Sequence, residues 1–366
     1  MKKLRIKDIC DKGSSNLKQK DVEGKVGRYP VYGASGIISH IDSYHQENNY
    51  IAIVKDGSGI GRVTFMPAKS SVIGTMQYIL PKEGFNINYI GYCLQSLDLS
   101  KYKQGAAIPH IYFRDYGERI VKVTEDLNEQ QSIVNYLDSA FAKIDALKAN
   151  AEKALGEAKA LFQASLKEML EPKEGWEEKK LEDITEVKDG THDSPKYATE
   201  GIPFVTQKNI TINGFDLLNT KKITLEDHKR FYARSNVEFG DIIIAMIGAN
   251  RGMSCIVDTR EVFSIKNVGL IKKSDNINSK YLLFYLHSPA ANAYVLNNSN
   301  GGAQEFIGLK GLRNFPIQYP PLSEQQSIVA TLDSLKSKVD CLQENCEKIS
   351  KECDALKQAM LREIFE

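Results

Sequence analysis

From residue 328 the apolar positions fall at Ile328, Leu332, Leu335, Val339, Leu342, Cys346, Ile349, Cys353, Leu356 and Met360, alternately four and three apart. A mean repeat of 3.5 residues keeps one stripe facing a partner helix and marks a left-handed coiled coil. The same register, 195 residues earlier, gives Ile133, Leu137, Ala140, Ile144, Leu147, Ala151, Ala154, Ala158 and Leu161. Segments 126–171 and 321–366 align without a gap, are identical at about half their positions, and share EQQSIV at 129–134 and 324–329. Loops absorb insertions, but a paired helix that must keep its register does not. The pattern therefore predicts two long helices of about 43 residues and about 65 Å each. Two such helices in one chain are expected to pair antiparallel. Ile133, Leu137, Ile144, Leu147 and Leu161 would form one side of the seam, and Ile328, Leu332, Leu335, Val339, Leu342, Ile349, Leu356 and Met360 the other. Asn128 with Gln131, and Ser323 with Gln326, fit capping boxes at the two starts, and Pro320 and Pro321 stand where proline is tolerated.

Elsewhere the pattern is of short β-rich runs, such as YIAIV (50–54) and DIIIAMI (241–247), divided by Gly and Asn turns. The segments before the helices echo each other. KLRIKDI (3–9) and KKLEDI (179–184) open the two halves, NINYIGYCLQS (86–96) resembles NINSKYLLFYLHS (276–288), and GAAIPHIYFRDYGERIVKV (105–123) stands where GGAQEFIGLKGLRNFPIQY (301–319) stands. The order is head, helix, head, helix. The expected fold class is α+β: two α/β heads separated by two long antiparallel helices, an internal repeat with an approximate two-fold axis. The expected boundaries are 1–125, 126–171, 172–320 and 321–366.

Composition narrows the class. The chain has 366 residues, 42% hydrophobic and 26% charged, within the ordinary soluble globular range. No run approaches the roughly 20 apolar residues of a bilayer span, and MKKLRIKDICDK lacks the apolar core of a signal peptide. A cytoplasmic protein with no membrane association is expected. Six scattered cysteines without a C-x-x-C pair read as buried thiols, and no metal is expected. Net charge is +1 overall, but +6 over 1–125, +1 over 172–320 and −3 in each helical segment. A polyanionic partner would therefore meet the heads.

With these elements in order, the chain resembles the specificity (S) subunits of type I restriction–modification enzymes over essentially its whole length. The carrying stretches are KLRIKDI, GRYPVYGASGII (27–38), DGSGIGRV (56–63), GTMQYIL (74–80) and GAAIPHI (105–111). In the second half they are GWEEKKLEDI (175–184), DGTHDSPKYATEGIPFVTQKNI (189–210), GDIIIAMIGANRG (240–252) and SIKNVGLI (264–271), each half closing on L-x-EQQ. The resemblance implies two target-recognition domains, each reading one half of a bipartite site in double-stranded DNA. It implies that the helices act as a ruler for the unread gap and dock two methyltransferase subunits, with restriction/translocase subunits joining the larger complex. Lengthening the first helix by four residues after Ala151 is expected to lengthen the gap. The heads are expected on one side of the helix pair, about one DNA turn, roughly 34–36 Å, apart. The rival readings are a coiled-coil scaffold whose heads bind protein, and an enzyme with an unrecognised site in one head.

DGSGIG has G-x-G-x-G spacing between two strand-like runs, so it reads as a glycine turn and not a nucleotide loop. Lys55 and Arg62 flank it and are candidates for DNA phosphate. His192, Asp193 and Ser194 are too close in sequence for a triad assembled in space. They read as a polar loop that caps local structure or faces DNA. Side chains suited to base edges or phosphates fall in head one at Ser39, His40, Tyr44, His45, Asn48, Asn49, Lys101, Lys103 and Gln104. In head two they fall at Thr191, His192, Lys196, Tyr197, Gln207, Lys208, Asn209, Asn250, Arg251, Asn297, Asn298 and Gln304. The Asn/Asp-Pro-Pro-Tyr/Phe motif of amino-methyltransferases, a glycine-rich cofactor loop, a Walker lysine loop and a Pro-Asp nuclease core are all missing from the sequence. No catalytic residue is expected in this chain, and S-adenosylmethionine is expected in the partner methyltransferase.

Overall fold

The computed structural model describes residues 1–105, 109–211, 214–300 and 305–366. The chain divides into two compact units, Met1–Lys153 with Asn345–Glu366, and Ala154–Glu344. Each unit holds one head and parts of both long helices, which run Leu127–Leu170 and Leu322–Phe365.

In the first unit, β1 (Lys2–Arg5) leads into β2 (Cys10–Ser14), and β3 (Tyr29–Gly33) and β4 (Gly36–Ile41) form a hairpin. β5 (Tyr50–Val54), β6 (Val63–Met66), β7 (Ser71–Val72) and β8 (Met76–Pro81) follow, then α1 (Ile87–Ser96) and β9 (Ile120–Val123), which pairs back on β1. The main sheet has the order β2-β8-β5-β6, and a smaller one the order β4-β3-β7. β5 is buried at all five positions because both faces of the sheet are covered. Ile51 and Ile53 point with Ile79 into a core shared with Tyr89, Ile90 and Cys93 of α1, while Tyr50, Ala52 and Val54 pack with Met76 and Tyr78 on the other face. Period-two alternation thus feeds two cores from one strand.

The second unit repeats the scheme. After β10 (Glu177–Lys180) and β11 (Val187–Asp189) come β12 (Tyr197–Ala198), β13 (Ile202–Thr206), β14 (Ile210–Thr211), β15 (Gly214–Phe215) and β16 (Lys221–Ile223). Then follow α2 (Leu225–Ser235), β17 (Ile242–Ala245), β18 (Ser254–Ile256), β19 (Ser264–Lys266) and β20 (Val268–Ile271). α3 (Ser279–Leu286), α4 (Pro289–Asn297) and β21 (Pro316–Tyr319) complete the head. The main sheet, β11-β20-β17-β18, has the order found in head one, and β21 pairs on β10 as β9 pairs on β1. β17 divides its side chains in the same way: Ile242 and Ile244 enter one core, Ile243 and Ala245 another. The apolar run read as a strand is this strand. Head two differs by its second sheet, β12-β16-β13-β19, flanked by α2.

Within each unit the long helices lie antiparallel. In the first, Lys148 Nζ is 3.4 Å from Asp354, Lys357 pairs with Asp145, and Leu361 and Phe365 share a core with Val134 and Leu137. In the second, Leu166 and Leu170 share a core with Ile328, Val329 and Leu332. The expected seam needs correction in one of its rows: Leu147, Leu161 and Leu356 are 55%, 63% and 51% exposed. The covered row of the first helix lies one residue later, at Val134, Phe141, Lys148, Leu155 and Phe162. Two phenylalanines, Leu155 and Val134 remove more apolar area from water than the alternative row, which contains two alanines. Lys148 joins the stripe by laying its stem along it while its ammonium reaches Asp354. In the second helix Lys357 takes the place expected of Leu356, its Nζ 5.2 Å from the Phe141 ring centre. Ile133, Ile144, Leu335, Val339, Leu342, Ile349 and Met360 are buried or half-buried as expected.

The capping boxes are not the ones expected. The first long helix begins at Leu127, two residues before the start that an Asn128 cap implies, and Asp126 accepts from the Asn128 N–H at 2.8 Å. The second begins on the Pro321 carbonyl, which accepts from Glu324 and Gln325 at 2.9 and 3.0 Å. The repeated glutamines Gln130 and Gln325 are instead wholly buried under the heads. All cysteines but Cys341 are buried, and burial pushes the Cys10 and Cys255 thiols up to about 12. Among the described residues no helix is long and apolar enough to cross a membrane, and no group of His, Cys, Asp and Glu is placed to hold a metal ion.

Candidate nucleic-acid interface

In head two, several strand ends converge on a cleft of about 380 Å³. Tyr197 comes from β12, Thr206 from β13, Gln207 and Lys208 from the single turn after it, Lys221 from β16, and Lys266 and Asn267 from the β19–β20 turn. Three lysines and no carboxylate line it, so it attracts anions. Lys221 Nζ stands 4.4 Å from the Tyr197 ring centre, and Lys266 Nζ donates to Ser194 Oγ at 3.3 Å. Asn267 is left-handed (φ 54°), a conformation that asparagine tolerates in a tight turn. Among the described residues, the buried Oε1 of Gln207 has no hydrogen-bond partner. Leaving such a group unmade costs about 1–3 kcal/mol, which a ligand donor would recover.

The GTHDS loop forms one edge. Gly190 runs so close to β19 that a Cβ there would lie 2.5 Å from the Ile265 carbonyl oxygen, which explains the glycine. His192 is exposed, its Nε2 2.9 Å from Asp189 Oδ2 and its Nδ1 2.9 Å from Asn267 Oδ1. The buried Asp189 carboxylate also accepts from Arg234 Nε and Nη2 at 3.0 and 2.7 Å. These bonds orient the imidazole. Ser194 bonds Lys266 and not the histidine, so the loop has no nucleophilic relay.

Other expected residues have different surroundings. Thr191 and Asn209 are buried; Thr191 Oγ1 accepts from Asp193 N–H, and Asn209 Oδ1 accepts from the Thr206 N–H and hydroxyl at 3.0 Å each. Thr191 serves its loop, while Asn209 holds the turn after β13 and also lines the cleft. Lys196 is exposed. Arg251 is committed internally: Nε donates to Ser299 Oγ at 3.0 Å, Nη1 to Gly248 O at 3.1 Å, and Nη2 pairs with Glu305. Asn250, Asn297 and Asn298 are exposed, Asn298 Nδ2 donating to Tyr294 O at 2.9 Å. Gln304 lies outside the described residues.

In head one the expected residues fall into two groups at opposite ends of β5, a strand of about 17 Å. At its start, His40, His45, Asn48 and Asn49 are exposed and Tyr44 is half-buried, its ring edge-on to Tyr29 at 4.8 Å. A hydrogen bond to Glu47 raises the Tyr44 phenol above its ordinary range. Ser39 is buried and donates to the Val22 and Lys25 carbonyls, so it is structural. At the end of β5, Gly57, Gly59 and Gly61 all take positive φ, making the expected glycine turn. Arg62 Nη1 donates to Ala34 O at 2.9 Å, and Lys55 lies 3.8 Å from Asp56, which also holds His110 at 2.7 Å. Lys101 pairs with Asp98, Lys103 is exposed, and Gln104 donates to Asp115 at 2.8 Å.

The second group corresponds to the cleft of head two. β3 and β13 occupy equivalent places, so Ala34 beside Arg62 matches Gln207 beside the turn at Gly248. Sequence reasoning missed Asn219, Lys221, Lys266 and Asn267 in head two. It also missed the exposed Tyr112 in head one, with the Arg114 guanidinium 4.7 Å from its ring centre. The K-N-V step between two β runs was a usable turn signal for Asn267; the strand lysines carried none.

The sequence pattern of the type I restriction modification DNA specificity domain matches residues 1–155 and again 173–351. The chain is 24% identical over 267 residues to the type I restriction enzyme EcoBI specificity subunit of Escherichia coli, covering 65% of this chain and 56% of that protein. It is 26% identical over 168 residues to the EcoEI specificity subunit of the same species, covering 42% and 28%. The chain thus spans about half the length, or less, of these curated relatives. In fold it is similar to a chain from a structural study of complex assembly and conformational transition of the type I R-M system, with a TM-score of 0.74, 17% identity and coverage of 98% and 96%. It is also similar to the HsdS subunit from Thermoanaerobacter tengcongensis, with a TM-score of 0.57, 17% identity and coverage of 98% and 95%. With that domain pattern found in both halves, on heads built to one strand order, the chain belongs to the type I restriction–modification DNA specificity family.

Proposed function

We propose that this chain is the sequence-specific DNA-recognition subunit of a cytoplasmic type I restriction–modification complex. Each head reads one half of a bipartite site in double-stranded DNA through the glycine-turn end of its main sheet. The observation that carries this reading is the head-two cleft, which combines three lysines, an exposed tyrosine and the amides of Gln207 and Asn267. Lysines position phosphates, and amide side chains suit adenine edges. The unequal second sheets of the two heads support unequal half-sites.

The long helices set the gap and dock two methyltransferase subunits. The exposed Leu147, Leu161, Leu356 and Tyr136 support docking, since apolar side chains left in water on a helix suit a protein partner. Chemistry belongs to the partners: S-adenosylmethionine binds the methyltransferase subunits, and restriction/translocase subunits complete the complex. The test is a methylome of cells carrying this chain with its methyltransferase. Adenine methylation at one split, asymmetric sequence is expected. Methylation at no defined split sequence, with a stable complex formed, would favour a scaffold whose heads bind protein.

A further inference from the structure

Gln130 and Gln325 stand at equivalent points of the two repeats, where a long helix meets its head. Gln130 Oε1 accepts from the Asn86 N–H at 2.7 Å, and its Nε2 donates to Gly84 O at 3.0 Å and Thr124 O at 2.9 Å. Those groups belong to the turn before α1 and to the link from β9 into the helix. Gln325 Oε1 accepts from the Asn278 N–H at 2.8 Å, and its Nε2 donates to Pro320 O at 2.8 Å. Asn86 and Asn278 in turn cap the head helices: Asn86 Oδ1 accepts from Asn88 and Tyr89, Asn278 Oδ1 from Lys280 and Tyr281. In each unit an unbroken run of hydrogen bonds leads from the long helix to the head.

The chemistry suits only this side chain. Spanning the junction uses one acceptor and two donors at Gln130, and one acceptor and one donor at Gln325, on a single arm that glutamine carries. Glutamate keeps the acceptor and loses the donors; methionine keeps the shape and loses the three bonds of Gln130 or the two of Gln325. A buried amide so fully matched fixes geometry, because any rotation of head against helix breaks bonds that water cannot replace.

We infer that Gln130 and Gln325 are positioning residues that fix the angle at which each head leaves its helix, and so set how sharply the gap between half-sites is discriminated. The inference rests on the DNA-reading proposal above. One base pair adds about 3.4 Å along the duplex axis, so a few ångströms of play at the base of a head are enough to admit a neighbouring gap.

The experiment is methylation by the complete complex of a DNA library with fixed half-sites and varied gaps, for the wild type, Gln130→Met, Gln130→Glu and Gln325→Met. The wild type is expected to select one gap. The methionine variants are expected to lose about tenfold in preference over gaps one base pair longer or shorter, the free-energy scale of one or two hydrogen bonds, with both half-sites unchanged. Gln130→Glu is expected to fall between. A variant that keeps wild-type gap preference overturns the inference, as does uniform loss at every gap with preference intact, the mark of a merely structural role. Amide hydrogen exchange on the same proteins is the second measurement. Faster exchange of Asn86 in Gln130→Met and of Asn278 in Gln325→Met is expected, and unchanged protection overturns the clasp even where a variant assembles poorly. A wild-type complex that methylates no split sequence overturns the DNA reading; a wild type with one gap and indifferent variants overturns only this inference.

Discussion

Gln207 and Asn267 face one cleft from positions sixty residues apart in sequence, and they should not behave alike when changed. Gln207 enters on the turn after β13 with an unmatched oxygen, so a base donor would complete it. Gln207→Ala is expected to relax one position of one half-site by about 1–3 kcal/mol of discrimination. Lys208→Ala should weaken binding to all sequences alike and lower the salt slope by about one. Fluorescence titrations at several salt concentrations, on matched and mismatched sites, separate the two; a salt-slope change in Gln207→Ala would count against base reading. A second residue-level expectation concerns pH. Burial holds His287 and His228 below the ordinary imidazole range, and His287 Nε2 contacts the Ser254 carbonyl at 2.8 Å. The unfolded chain takes up protons near pH 6.5, while the folded one resists. The unit holding both should therefore keep its full stability above about pH 6.5 and lose it as pH falls toward the folded values. Urea midpoints between pH 5 and 7.5 should show this slope, and His287→Gln should flatten it. Such environments were not legible in the sequence. A cleft drawn from β12, β13, β16 and the β19–β20 turn is set by strand pairing, and a buried Asn209 reads like an exposed Asn250 until the fold places them.

At the scale of elements, the long helices were legible almost to the residue, because a gapless repeat and a sustained 3.5-residue period constrain each other. Which of two adjacent rows is covered was not legible, since both rows contain leucines and the choice depends on what Phe141 and Phe162 meet in three dimensions. The distinction has a measurable consequence. Leu137, wholly buried, should cost about 2–5 kcal/mol when changed to alanine. Leu161→Ala, on the exposed row, should stay within about 0.5 kcal/mol in the chain alone. Denaturation of the isolated variants decides this, and equal losses would restore the simpler seam. If Leu161→Ala is silent alone but weakens capture of the methyltransferase, the exposed row belongs to the partner.

At the scale of the molecule, lengthening one helix by four residues is not the cleanest test of the ruler. Four residues turn the covered row by about 40°, because each residue turns 100°, and the partner helix remains short. Seven residues inserted after Ala151, with seven more after the equivalent Cys346, keep the row in place on both helices. They add about 10.5 Å, or about three base pairs, to the spacing. The methylome of this double insertion should show the original half-sites with a longer gap; the original gap, in a folded complex, would show that the helices do not measure it. The sequence disclosed the head–helix–head–helix order because the repeat preserved it. The antiparallel pairing already returned the second helix toward head one, which makes the first compact unit discontinuous in sequence; that Leu361 and Phe365 enter the core of that head was not legible.

That discontinuity bears on how the chain is made. Phe365 is wholly buried, its ring centre 5.1 Å from Tyr89, and Leu361 lies in the same core. Synthesis proceeds from the N-terminus at about 5–20 residues per second, so residues 1–153 emerge well before the segment that closes their core. The first head to be translated is the last to be finished. Until then its seat for Leu361 and Phe365 is open apolar surface, a place where a nascent chain needs shelter from aggregation.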